Sequence, residues 1–259
     1  MVDAVTLYRA PTTVADADPV AEWLRERVDA DVRVRDRFLS VFGDEGDGDE
    51  DLAESFAEAR VLSPYERETG NTMVGIVRYE QRALDNPERG GGVIYDGLQV
   101  QSILNGLLPD DERGLDHLHV PLLDRVVGTW GDHDGRWHKR VNVLGQPGVV
   151  SVPGLYEAPA KPEQYYKEQQ KHALLSGGAP PREVLENEVD GEFLVESDPR
   201  TTEALRGYVL QCYHYLETGA DFCEAEDCRL HNPHRQPGVI RAQLREPEFC
   251  ARHAETYDA

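Results

Sequence analysis

The last quarter of the chain, from Pro199 to His253, holds all four cysteines and four of the nine histidines. Within it, Cys223 and Cys228 form one short pair, Cys250 and His253 form a second, and a longer spacer separates them. Two short donor pairs joined by a spacer are the sequence form of a tetrahedral zinc site. Zn²⁺ takes soft or borderline donors at tetrahedral corners, and each short pair lets two donors reach one ion. A Cys-x-x-His near the end of a helix puts both donors on adjacent turns of one face. Cys223, Cys228, Cys250 and His253 would leave no open position on the metal, so the expected Zn²⁺ is structural rather than catalytic. It would pin the loop 223–236 to the last helix, and its binding energy would add to folding. His231 and His234 are alternates to His253 as fourth ligand. Two other readings compete. Free cysteines are often small core residues, but the polar setting D-F-C-E-A-E-D-C-R suits a core poorly. A disulfide needs an oxidising compartment, and nothing marks the chain as secreted.

The rest of the pattern is α/β. Val5–Tyr8 reads as a strand. Asp18 followed by Pro19 reads as a helix start, with Val20, Trp23, Leu24 and Val28 on one apolar face. Residues 32–42 begin as a strand by alternation, and Gly43–Asp51 reads as a solvated acidic loop. Residues 51–61 and 98–108 carry helical periodicity, while Gly75–Tyr79 and Val93–Tyr95 read as strands. Segments 117–125, 139–145 and 148–154 have the β-branched enrichment of buried strands. Pro162 starts a helix, and GGAPP (177–181) ends that unit. A long helix from Pro199 presents Leu205, Val209, Cys212 and Leu216 to the core and stops at Gly219. His214 falls on its other side and is expected to be exposed. We therefore expect a mixed sheet with helices over residues 1–195, then a helical, zinc-stapled part over 196–259, within one continuous domain.

Charge bounds the partners. The chain has 49 Asp and Glu against 27 Lys and Arg, a net charge of −22 spread along its length. Only four of the basic residues are lysine. That matches a cytoplasmic protein adapted to high internal salt, as in halophilic archaea. It argues against nucleic acid as the main partner. The first residues carry no basic region or apolar stretch, so no signal peptide is expected. No apolar run is long enough for a membrane span. The sequence carries no signature of oligomeric state.

From Cys212 onward the chain resembles the archaemetzincins, archaeal zinc metallopeptidases with HExxHxxGxxHC, then a second Cys, x-Met, and later FCxxC. Aligned on Cys223, the stretch CYHYLETGADFC is followed by EAED, Cys228, Arg229-Leu230 and later FCARH. Gly219, Cys223, Cys228, Phe249 and Cys250 match, His253 stands at the fourth Cys, and Leu230 at the Met. The three zinc-binding His positions are Cys212, Leu216 and Phe222, and the general-base Glu position is Tyr213. Leu216 and Phe222 cannot bind a metal, so ordinary HExxH catalysis is not expected. The whole chain also resembles an archaeal family of uncharacterised metallopeptidase-like proteins. The resemblance implies a metzincin-like layout and an old substrate cleft that binds peptide or protein.

Other chemistry is sparse. The stretch TWGDHDGRWHKR (129–140) contains Asp132, His133, Asp134 and His138, donors for a relocated hydrolase metal. Its Gly131 and Asp134-Gly135 equally make it a hairpin turn. Segment 229–252 carries five Arg against two Glu, a local reversal of charge. It could contact nucleic acid or an acidic partner, or consist of arginines in surface ion pairs. Three functions follow: an inactive, zinc-stapled metallopeptidase homologue that binds peptide or protein; a hydrolase using His133 and His138; and a zinc-stapled nucleic-acid-binding module.

Overall fold

The computed structural model describes residues 1–11, 14–43, 48–86, 92–178 and 180–258. The strands are β1 (Ala4–Tyr8), β2 (Asp31–Arg35), β3 (Ile94–Asp96), β4 (His117–Leu123), β5 (Val126–Gly131), β6 (Arg136–Arg140), β7 (Asn142–Val143) and β8 (Val149–Ser151). The helices before the hairpin are α1 (Ala17–Arg25), α2 (Phe38–Phe42), α3 (Gly48–Glu58), α4 (Val74–Asp85) and α5 (Gly97–Leu107). After it come α6 (Gly154–Glu157), α7 (Glu163–Ser176), α8 (Arg182–Glu188), α9 (Thr201–Thr218), α10 (Gln236–Leu244) and α11 (Ala251–Tyr257).

Two mixed sheets form. One has the order β2-β1-β4-β8-β7, parallel except for β7 against β8; the other has the order β3-β5-β6, with β5 and β6 antiparallel. Parallel strands are covered on both faces, which is why β1 and β4 read as near-continuous apolar runs. Val5, Leu7, Leu118, Val120 and Leu122 pack with Leu24 of α1, Val209 of α9 and Val239 of α10. Tyr8, Leu123, Val143 and Val149 pack with Phe56 of α3 and Val100 and Leu104 of α5. Each such side chain contributes about 1.5–3 kcal/mol when fully buried.

Three local expectations need correction. Gly75–Tyr79 is not a strand but the start of α4. Its β-branched residues favour extension weakly, whereas packing of α4 against α3 buries Glu80 and Ala83, three residues apart on one helical face. The first helix is capped by Asp16, which accepts from the Asp18 N–H; Asp18 instead takes a bidentate hydrogen bond from Arg9. Cys250 is the N-cap of α11, so the Cys-x-x-His pair opens that helix rather than ending one. Residues 48–51 of the expected acidic loop belong to α3, while residues 44–47 of it and Ala179 of GGAPP lie outside the described residues.

Buried on all sides, α9 is the axis of the fold. Every residue from Gly207 to His214 is buried. It packs on β4, β7 and β8, with α1 and α10 against it, and the loop after it folds back on its remaining side. Gly207 is required there: a Cβ would meet the Arg229 carbonyl at 3.0 Å and the Gln243 side chain closer still. Gly219, at φ 73°, ends the helix in the left-handed conformation that glycine adopts without strain. Among the described residues no helix is long and apolar enough to cross a membrane.

Candidate metal centre and cleft

The turn at Gly219 sends the chain back along α9 and sets up a closed loop. The Cys223 N–H donates to the Leu230 carbonyl at 2.9 Å, the His231 N–H to the Cys228 carbonyl at 2.8 Å, and the Cys228 N–H to the Ala225 carbonyl at 3.1 Å. The Ala225 N–H points at the Cys223 sulfur, 3.4 Å away. Arg229 anchors the loop from inside, buried and ion-paired with Glu203 and Glu248. The Arg229 N–H also donates to the Glu248 carbonyl, which ties the first cysteine pair to the second.

These contacts gather Cys223, Cys228, Cys250 and His253, whose donor atoms all lie within 4.8 Å of one another. Cys223 Sγ is 3.8 Å from Cys250 Sγ; His253 Nδ1 is 3.5 Å from Cys228 Sγ and 3.4 Å from Cys250 Sγ. A tetrahedral zinc with Zn–S about 2.3 Å and Zn–N about 2.05 Å has S···S edges of about 3.8 Å and S···N edges of about 3.6 Å. The donor set therefore fits that ion in size and chemistry. His231 does not join it: its Nδ1 donates to the Cys223 carbonyl at 2.8 Å, and His234 is exposed outside the cluster.

Burial dominates the electrostatics of the cluster. Burial pushes the Cys228 thiol up to about 12 and raises that of Cys223. Burial also acts on Cys250, but the His253 N–H and the neighbouring sulfurs bring its thiol below the ordinary value. Burial, then the nearby Arg252, lowers His253, leaving a neutral imidazole at neutral pH. A divalent metal reverses the cost of the buried thiolates, since a coordinated thiol is deprotonated outright.

His214 is a correction of the sequence expectation. It is buried, its Nδ1 shares a 2.8 Å hydrogen bond with the Tyr257 hydroxyl, and its ring stands edge-on to His253 at 5.3 Å. A one-sided reading of α9 put it in solvent; the cysteine loop and α11 cover that side. Through that ring contact it lies directly behind His253 of the Cys/His cluster.

The positions aligned with a peptidase zinc site differ in setting. Cys212 is fully buried, its thiol pushed up to about 12 by burial. Tyr213 is buried, Leu216 packs against the core, and Phe222 lines a cleft. That cleft has a volume of about 880 Å³. It is lined by residues 136–144, which span the end strands β6 and β7, and by residues 157–160, Phe222 and the segment Asn232–His234.

At the cleft rim, His133, Asp134 and His138 meet at the β5–β6 turn. Asp134 Oδ1 lies 2.9 Å from His138 Nε2 and 3.7 Å from His133 Nε2. Asp132 is not with them and pairs with Arg67 at 3.3 Å. The expected hairpin is present, with Gly135 at φ 63°. Among the arginines of 229–252, Arg229, Arg241 and Arg245 are in ion pairs, the last two with Glu226 and Glu192. A further cluster, Glu112 with His117 and His119, was not foreseen. Its donors are already used: Arg35 holds both Glu112 oxygens, Thr6 meets His117, and Tyr8 meets His119. The H-x-H spacing on β4, which puts both rings on one face, was its only signal in the sequence.

A family model matches residues 6–256, nearly the whole chain; its description is DUF7001, a family of unknown function. The chain belongs to DUF7001. Among solved structures, this DUF7001 chain is similar to a crystal structure of archaemetzincin from Methanopyrus kandleri. The identity is 13%, over 98% of this chain and 92% of that one, with a TM-score of 0.44. No curated protein matches.

Proposed function

We propose that this protein is a zinc-stapled, metallopeptidase-like homologue that binds an extended peptide or protein segment in its cleft without HExxH catalysis. The observation that carries the reading is the fate of the aligned catalytic positions. Of the three aligned zinc positions only Cys212 carries a metal donor, and it is fully buried, while Leu216 packs on the core and Phe222 stands on the cleft, so the three cannot hold a catalytic metal. What remains is a groove with apolar and polar lining, of a volume suited to several residues of ligand. The zinc held by Cys223, Cys228, Cys250 and His253 fixes the loop that carries Phe222 and the segment Asn232–His234, and so fixes one wall of the groove. Its chemistry there is structural: a closed shell leaves no site for water or substrate.

The test is binding without cleavage. Fluorescence anisotropy with a mixed peptide library on zinc-loaded protein should show saturable binding, weakened by Phe222→Asp, and mass spectrometry of the same samples should show intact peptides. Cleavage that stops on chelation would overturn the reading. The second reading, a hydrolase metal at His133, Asp134 and His138, draws on their convergence at the cleft rim. It requires a second bound metal that disappears in His138→Ala.

A further inference from the structure

The cleft carries a charge out of keeping with the chain. Acidic residues outnumber basic ones 49 to 27, yet β6 lines the groove with Arg136, His138 and Arg140, alternate residues on one face of the strand. Two neighbouring cations there are answered. Arg136 pairs with Asp134 at 2.7 Å, and Lys139 with Glu157 at 2.6 Å. Arg140 differs. It is half-buried, its Nε donates to the neutral Thr129 hydroxyl at 2.7 Å, and among the described residues no carboxylate pairs with it. Burial alone acts on its guanidinium, pushing the pKa down with no counter-charge to oppose it.

Withdrawing a guanidinium from water without an anion is unfavourable, and proteins do so where a ligand supplies the anion. The planar fork of arginine matches a carboxylate with two parallel hydrogen bonds, and Nε is already fixed by Thr129, which leaves the terminal nitrogens for the ligand.

We propose that Arg140 is the anchor for a carboxylate of the bound peptide, making this cleft selective for segments that present one. The proposal rests on the cleft being a peptide site. The carboxylate can come from an Asp or Glu side chain or from the peptide's own C-terminus.

Three labelled peptides of one sequence separate these cases: one with a central Glu and blocked ends, its Gln twin with blocked ends, and the Gln twin with a free C-terminal carboxylate. Wild type should bind at least one carboxylate-bearing peptide about tenfold more tightly than the blocked Gln twin. Whichever of the two is preferred names the source. Arg140→Gln should remove the preference, so that the carboxylate-bearing peptides bind no more tightly than the blocked Gln twin does to the same variant, and Arg140→Lys should restore part of it. Without ligand, Arg140→Gln should melt at or above the wild-type temperature, since it removes an uncompensated charge. Equal binding of all three peptides by wild type, or a preference that survives Arg140→Gln, would overturn the anchor while leaving the peptide cleft standing. No binding of any peptide would remove both.

Discussion

The side-chain amide of Asn142 donates to Gln211 Oε1 at 2.9 Å, and through that bond the cleft wall is tied to the metal loop. Asn142 lies on β7 in the groove; Gln211 lies in the middle of α9. The Gln211 Nε2 then donates to the carbonyls of Arg229 and His231, each at 2.9 Å, inside the loop that follows Cys228. A fully buried amide has all its main partners supplied, and the same side chain joins sheet, central helix and loop.

Gln211→Leu should therefore destabilise the protein beyond its change in volume. It leaves the His231 carbonyl and the Asn142 amide without their buried partner, a loss of about 2–4 kcal/mol. Chemical denaturation should read that loss, and zinc should leave the variant faster than wild type when chelator is added.

Glu80 has no exposed side-chain surface and takes hydrogen bonds from Arg60 at 2.9 Å, Arg125 at 2.7 Å and the Tyr95 hydroxyl at 2.9 Å. Arg125 is itself buried over the rings of Phe56 and Tyr95. Glu80→Gln strands that guanidinium and should cost about 3–5 kcal/mol. A variant as stable as wild type would show that the carboxylate is not what holds α4 to β3 and to Arg125 of the β4–β5 link.

His119 gives a pH dependence. Its Nε2–H donates to the Glu112 carbonyl at 2.9 Å, so its Nδ1 accepts from the Tyr8 hydroxyl at 2.7 Å, and the ring is neutral. Burial, with His117 alongside, lowers its pKa from 6.5 to about 4. Between those values the unfolded chain takes up a proton that the folded chain refuses. The contribution is intact above pH 6.5 and declines as pH falls toward 4, by up to roughly 3 kcal/mol. Burial shifts His117, His214 and His253 in the same direction. The His119 share is therefore the difference between the stability–pH curves of wild type and His119→Gln, which should converge in slope above pH 6.5.

The sequence spoke clearly where chemistry is local. Donor spacing picked out Cys223, Cys228, Cys250 and His253, whose donor atoms the structure gathers within 4.8 Å, because short pairs need little tertiary help to converge. Apolar runs picked out β1, β4 and β8, and periodicity with Gly219 picked out α9. It misled where burial is decided by distant segments. The V-G-I-V run of α4 looks extended until α3 packs beside it, and His214 looks exposed until α11 returns over it. The uncompensated charge of Arg140 was invisible, because only the pairing of β6 with β5 shows that its neighbour is a threonine and not a carboxylate.

Metal content per chain, measured on purified wild type and on Cys228→Ser, tests the central claim most directly. Cys228 is fully buried, and serine cannot replace its thiolate. The account predicts one zinc in wild type, lost in the variant together with several kcal/mol of stability, as a structural zinc should show. Wild type without metal, or a zinc that survives the substitution, would contradict it.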